Sequence, residues 1–532
     1  MLRYLRSTAF SALLGAIVVG AAPIAAEARV TAFKQAVAEA ISEDAAIAEF
    51  YRGRAFEPIW TSGDDAASAR LSALMAAMTH ISDHGLPERR WSTQALMAKL
   101  SGAKTQRELG LLEVELSKIY LDYARAVSGG VVTPRSVSPL MVREPVRKDG
   151  TELLRMIAEE EPVAALRSIL PRSPEYARLM RAKMRMESLA RDGGWGPTVP
   201  ASSLAPGAEG KAVVALRDRL RRMGYLARSV SASYDLEMIK AVRAFQEAHG
   251  LEPDGVAGGE TMTAINASVR DRLGQVLVAM ERERWLNFDR GDRHVWVNLT
   301  DFSAAIVDED RVTFRTRSVI GKNVPDRATP EFSDVMEHMV INPSWYVPRS
   351  IIVKEYLPRL QANPGAVGHL QIIDSRGRVV SRGQNFARFS ARSFPYSMKQ
   401  PPGPSNALGT VKFMFPNKYN IYLHDTPQKH LFARDVRAYS HGCIRLADPH
   451  EFAAALLAVQ EGDPEDYFGR ILRSGAERRV DLVEDVPVHL VYRTAFTDVR
   501  GRVHFRNDVY GRDAKVLAAL RAAGVDMPNL DG

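Results

Sequence analysis

Cysteine is almost missing: Cys443 stands alone in 532 residues. No internal disulfide can staple the chain and no paired-cysteine zinc site can form, so stability rests on packing. HExxH is absent, and so is the K-T-G triplet that would accompany a penicillin-binding serine; Ser101-Gly102-Ala103-Lys104 matches the serine-x-x-lysine pattern but is rejected for lack of it. Beyond the first thirty residues no apolar run is long enough to cross a bilayer. Charge of one sign is not in large excess either, with 71 Lys and Arg against 63 Asp and Glu for a net +8. The basic residues are spread along the chain, which argues against a nucleic-acid arm and favours an acidic polymer or an anionic surface. What is present is ordinary globular material, 46% hydrophobic and 25% charged, in a length that implies several domains.

The amino terminus reads as an export signal. Arg3 and Arg6 precede an apolar stretch from Thr8 to Ala22, and Ala26-Glu27-Ala28 supplies a small-residue cleavage site, so residues 1–28 are expected to be removed and to leave no membrane anchor. From Ala32 to Arg191 apolar residues recur at helical spacing, as in Leu109, Leu112, Val114, Leu116, Ile119, Tyr120 and Tyr123, predicting a helical scaffold over 29–200 with no catalytic constellation. Gly193-Gly194-Trp195-Gly196-Pro197, continuing through Pro206, has linker composition. Next, Val213, Leu216 and Leu220 form one helical stripe and Ile239, Val242 and Phe245 a second. Asp254-Gly255-Val256 is a turn, and Thr261 is expected to begin a third helix. With Gly224-Tyr225, Gln246, Gly250-Leu251 and Gly258 in register, residues 207–268 resemble the peptidoglycan-binding domain of many cell-wall enzymes; a plain three-helix spacer is the other reading.

After a helical connector over 269–290 the period changes. From His294, Val295, Val297 and Leu299 alternate with Trp296 and Asn298, and further strands are expected at 304–307, 312–320, 335–341, 411–415 and 488–492. Asp448-Pro449-His450-Glu451 predicts a helix start with an N-cap aspartate, a proline at the first position and a capping-box glutamate. Cys443 is therefore expected on a loop between a strand and that helix. The lone thiol is the candidate nucleophile. Its neighbours Ser440, His441, Gly442 and Arg445 are not those of a buried filler cysteine, and a thiol is activated by a base or a positive environment.

His424, fifteen intervening residues, then Ser440-His441-Gly442-Cys443-Ile444-Arg445 resembles the signature of the L,D-transpeptidase (YkuD-type) catalytic domain. Gly321-Lys322, Thr329-Pro330-Glu331-Phe332, Asn342-Pro343-Ser344-Trp345-Tyr346-Val347-Pro348, Pro402-Gly403-Pro404 and Asp508-Val509-Tyr510-Gly511-Arg512-Asp513 resemble the large Gram-negative members with an internal wall-binding domain. The fold class implied is multidomain α+β. A helical scaffold and a small three-helix domain precede a mostly-β catalytic domain over 291–515, with a capping insert at about 350–405, and a helix and tail close the chain over 516–532.

The resemblance implies a periplasmic enzyme needing no cofactor and no metal. Cys443 is the nucleophile and His424 its base, with backbone N–H groups at His441, Gly442 and Cys443 holding the oxyanion. Losing one such donor costs roughly 2.7 to 4 kcal/mol. Ser440, Tyr422, Arg445 and Trp345 are candidate substrate-binding residues, Arg445 through a bidentate grip on a carboxylate. A backbone carbonyl rather than Asp425 is expected to orient His424, since neighbours on a strand point to opposite faces. Partners implied are peptidoglycan stem peptides and glycan strands, with other cell-wall synthesis proteins in prospect and no nucleic acid. The acceptor, whether a stem, a lipoprotein lysine, a D-amino acid or water, is open. The rival classes are a zinc site built from His424, His430, His441 and Cys443, and a non-catalytic wall-binding protein.

Overall fold

Thr105 opens the long helix Gln106–Gly129 through a capping box, its hydroxyl accepting the Glu108 N–H while the Glu108 carboxylate accepts the Thr105 N–H. The computed structural model describes residues 31–527, so the export signal read at 1–28 lies outside the described residues. Leu112, Val114, Leu116, Tyr120 and Tyr123 of this helix are buried among Ile47, Tyr51, Trp60 and Leu154 from the surrounding scaffold helices. A charge sits inside this core. Glu113 is fully buried, and its oxygens accept from the backbone N–H groups of Ile59 and Thr61 and from the Tyr51 hydroxyl at 2.7 to 2.9 Å, which is the condition on which a buried carboxylate is tolerated.

The second unit packs helices Lys211–Arg222, Leu236–His249 and Gly259–Asn266 around Val213, Leu216, Leu220, Val242 and Phe245. Its third helix starts at Gly259, two residues before the expected Thr261. Gln246 builds the turn between the last two helices, accepting the Gly255 N–H at 2.9 Å and donating to Asp254 at 2.7 Å. Ser268 then caps the connector helix Val269–Trp285. That helix is buried on several sides. Leu273 and Leu277 meet Val516 and Leu520 of the helix Arg512–Ala522, while Val276 and Met280 meet Tyr176, Leu179 and Phe505.

The carboxyl-terminal half is strand-rich. In chain order the strands are β1 (Arg293–Asn298), β2 (Ser303–Asp308), β3 (Arg311–Gly321), β4 (Phe332–Ile341), β5 (Trp345–Tyr346), β6 (Gln371–Ile373) and β7 (Ser397–Gln400). There follow β8 (Val411–Met414), β9 (Leu423–His424), β10 (Ala438–Ser440), β11 (Ile444–Leu446), β12 (Arg478–Val491), β13 (Ala495–Thr497) and β14 (Val503–Phe505). Nine of them pair in the order β10-β3-β11-β9-β8-β4-β12-β1-β2, and β2 also pairs with β3, so the sheet closes on itself. Its inward side chains, among them Val295, Ile320, Met339, Phe413, Leu423, Ile444 and Leu490, form one core capped by the helix Pro449–Leu457 through Phe452 and Leu456.

Several expectations change here. β12 begins ten residues before Val488, because its first half is mostly exposed and shows no strong apolar alternation. Asp448 precedes the helix Pro449–Leu457 but does not cap it. Its carboxylate accepts the Thr316 hydroxyl at 2.8 Å instead. Cys443 lies between β10 and β11, one strand earlier than the strand-to-helix loop expected for it. The insert carries a sheet in the order β5-β7-β6 and its own core of Val347, Ile352, Leu360, Phe386 and Met398, so as a structural unit it begins at Trp345 rather than at 350.

Candidate functional site

β9 and β11 are parallel neighbours, with Leu423 opposite Ile444 and His424 opposite Arg445, and the Ile444 N–H donates to the Tyr422 carbonyl at 3.0 Å. Period-two alternation then sorts the side chains. Leu423, Ile444 and Leu446 point into the sheet core, whereas Tyr422, His424, Cys443 and Arg445 share the other face and line a cavity of about 800 Å³. The base candidate at the end of β9 and the nucleophile candidate just before β11 thus stand on one surface.

His424 is buried, and its Nδ1 bonds the backbone carbonyl of Asp425. A carbonyl only accepts, so Nδ1 carries the proton and Nε2 keeps its lone pair for use as a base. The Asp425 carboxylate is engaged elsewhere, by the Thr410 N–H and hydroxyl at 2.9 and 2.8 Å and by Lys429 at 2.8 Å. Burial drops the imidazole pKa to about 3, helped by the Arg445 charge and opposed by the Asp425 and Leu408 carbonyls.

The Cys443 thiol donates to the Asn420 carbonyl at 3.5 Å. Asn420 takes a positive φ of 53°, which asparagine tolerates, and Asn417 holds the loop by accepting the Tyr419 and Ile421 N–H groups. Burial pushes the thiol up to about 11, while the Tyr422 N–H, the Tyr422 hydroxyl and the Arg445 charge pull the other way. Both shifts favour the neutral thiol and the neutral imidazole over the ion pair. The flanking histidines and arginine were expected to favour a thiolate; desolvation outweighs them.

The other candidates sort by what they touch. Gly442 has φ +119°, and a Cβ there would come within 3.0 Å of Ile421 Cδ1 and 3.6 Å of the Arg327 carbonyl, so glycine is required. Its N–H donates to Ser440 Oγ at 3.1 Å, which removes it from the expected set of oxyanion donors. Ser440 in turn donates to the Cys443 carbonyl at 2.6 Å, so the hydroxyl expected to bind substrate braces the turn instead. The His441 ring reaches outward to Glu355 of the insert at 2.7 Å. Arg445 donates to Gln428 at 2.6 Å, while its buried Nε lacks a partner. Trp345 lines the cavity on the insert's side, its ring edge-on to Tyr356 at 6.4 Å.

Asn420, Glu355 and Arg327, which also bonds Glu355 at 2.7 Å, were not anticipated; the Asn417-Lys418-Tyr419-Asn420 run was the one available hint of a tight turn. His430 lies in a short 3-10 helix and is absent from the cavity lining. Among the described residues no group of three or more His, Cys, Asp or Glu side chains stands close enough together to hold a metal ion.

The model of the L,D-transpeptidase catalytic domain matches residues 292–471. This region belongs to that family. The models "Scaffold domain" and "Putative peptidoglycan binding domain" match residues 45–182 and 209–265, the helical units on either side of the linker. A Haemophilus influenzae protein named "Putative L,D-transpeptidase" is 31% identical over 227 residues, 42% of this chain and 45% of that protein, so the chain spans less than half the length of this relative. Solved L,D-transpeptidase structures from Xylanimonas cellulosilytica and Stackebrandtia nassauensis are 14% and 15% identical. Each match covers 56% of this chain, with 100% and 96% of the other chain and TM-scores of 0.17 and 0.21. The L,D-transpeptidase domain is thus preceded by a scaffold and a small helical unit. Among the described residues no helix is long and apolar enough to cross a membrane.

Proposed function

We propose that the protein is an exported L,D-transpeptidase that forms 3→3 cross-links between peptidoglycan stems through a thioester on Cys443. The observation that carries this reading is the common outer face of β9 and β11, which presents His424 and Cys443 to one cavity inside the matched domain. As the thiol attacks the amide carbonyl between the third and fourth stem residues, its proton passes to His424 Nε2. The imidazolium then delivers that proton to the departing D-alanine amine, the C–N bond breaks, and a thioester remains. A side-chain amine of a neighbouring stem attacks the thioester, gives its proton to His424 and expels the thiol. The oxyanion of each tetrahedral intermediate is held by the Cys443 N–H together with that of His441. Arg445, with an unpartnered Nε, is positioned for a stem carboxylate. The unit at 209–265 tethers the enzyme to the wall polymer, and the chain works in the periplasm.

The test is muropeptide analysis after incubating the protein with tetrapeptide sacculi. New dimers joined through third-position residues are expected, abolished in Cys443→Ala and severely reduced in His424→Ala. Trimmed tripeptides without dimers would indicate water as acceptor. Undiminished dimer yield in Cys443→Ala would end the proposal.

A further inference from the structure

The segment Asp508–Asp513 lies outside the 292–471 match, yet its side chains reach back toward the cysteine turn. Arg512 Nη2 donates to the Thr329 carbonyl at 2.6 Å, and the Tyr510 hydroxyl accepts the Thr329 N–H at 3.3 Å while donating to the Gly321 carbonyl at 2.6 Å. Thr329 itself is fully buried. Its hydroxyl accepts the Gly321 N–H at 2.9 Å and donates to the Gly442 carbonyl at 2.7 Å, bridging two glycine backbones 121 positions apart. The approach is close enough that a Cβ on Gly321 would stand 1.8 Å from the Arg327 carbonyl.

The consequence follows from peptide planarity. In a trans peptide the C=O of one residue and the N–H of the next point in opposite directions. Holding the Gly442 carbonyl against buried Thr329 therefore turns the Cys443 N–H away from the protein interior, toward the cavity that Cys443 lines. We propose that Thr329 is a positioning residue that aims the Cys443 N–H as oxyanion donor, and that Tyr510 and Arg512 hold Thr329 in place. The assignment rests on the transpeptidase reading. It gives the carboxyl-terminal motif a role in catalysis without contact with substrate.

The experiment compares two reactions of the same sulfur in the full chain. Acylation by a carbapenem passes through an oxyanion; alkylation by iodoacetamide does not. Thr329→Val keeps the shape but removes the bridging hydroxyl, and Thr329→Ser retains it. Acylation by Thr329→Val is expected to slow by about ten- to a hundred-fold, less than outright loss of a donor because the N–H is misaimed rather than deleted. Alkylation should stay within about twofold of wild type, and Thr329→Ser should recover most of the acylation rate. Should Thr329→Val fail to fold, Tyr510→Phe is expected to slow acylation about fivefold with alkylation unchanged. Acylation at the wild-type rate in Thr329→Val, or an equal fall in both reactions, overturns the assignment. A wild-type protein that alkylates but never acylates overturns the transpeptidase reading instead.

Discussion

At the scale of single residues the governing fact is desolvation. Burial moves His424 down to about 3 and Cys443 up to about 11, in each case disfavouring the charged form. The sign of the pH dependence follows. Between these values the imidazole is free to accept and the thiol still holds its proton, so carbapenem acylation, in which proton transfer accompanies attack, is expected to be flat from about pH 5 to pH 9. Iodoacetamide, which reports thiolate, should react faster by up to about tenfold for each pH unit over the upper part of that range. Alkylation independent of pH from 6 to 9 would show a preformed thiolate–imidazolium pair and would contradict this account. Cys443 and His424 could be singled out in the sequence because the reactive types stand in an unusual local pattern, and the structure places both on the lining of one cavity. The roles of Ser440 and Gly442 were not, because residue type does not say which polar groups a turn consumes internally. Thr329 was visible only as part of the Thr329-Pro330-Glu331-Phe332 motif, which gave no sign of what its hydroxyl does. Its hydroxyl acts on Gly442, 113 positions away, through a contact that only the tertiary fold creates.

At the scale of elements, alternation revealed β1 to β4 and β8 but not the strands of two or three residues, and β12, the longest, registered only at its apolar end. β1 to β4 run for six to eleven residues, enough for alternation to register, whereas β9, β10 and β11, which carry the site, have two or three. The insert's sheet was likewise hard to place, because β5 pairs with β7 across about fifty intervening residues. This insert is tied to the cysteine turn through Glu355, which holds His441 at 2.7 Å, and to the segment between β3 and β4 through Glu355–Arg327 and Lys354–Asp326 at 2.7 Å each. These groups are a quarter or more exposed, so each pair contributes at most about 1 kcal/mol. Removing both ties in Glu355→Ala/Lys354→Ala should leave the insert's apolar core intact while weakening its seating over the cavity. Limited proteolysis is the measurement: cleavage within 349–400 is expected to accelerate several-fold while the scaffold resists as before. An unchanged cleavage rate would mean that apolar contacts alone seat the insert.

For the whole molecule, the question is what joins the scaffold to the catalytic sheet, and Glu331 stands where the parts meet. Its backbone pairs with a segment inside the scaffold, donating to the Leu140 carbonyl and accepting from the Val142 N–H at 2.8 Å each. Its carboxylate binds Arg282 of the connector helix at 2.5 Å and Arg512 at 3.0 Å, and Arg282 also binds Asp513 at 2.8 Å. All four side chains are buried, with two positive and two negative charges. A buried cluster of this kind adds little net stability over an apolar equivalent, but taking away one partner leaves a charge uncompensated, at about 3 to 5 kcal/mol. Glu331→Gln, nearly identical in shape, should therefore lower the unfolding free energy by that amount, whereas Glu152→Gln, which breaks the exposed Lys148 pair, should change it by no more than about 0.5 kcal/mol. The loss falls at the junction, so its pattern matters as much as its size. In urea titrations the wild-type protein is expected to lose scaffold and catalytic structure together. In Glu331→Gln the transition followed at Trp296 of β1 should precede that followed at Trp60 of the scaffold core, because the catalytic sheet loses the seat that the connector helix provides. Coincident transitions at an unchanged midpoint in Glu331→Gln would show that apolar packing of the connector helix, rather than this charge cluster, couples the two halves.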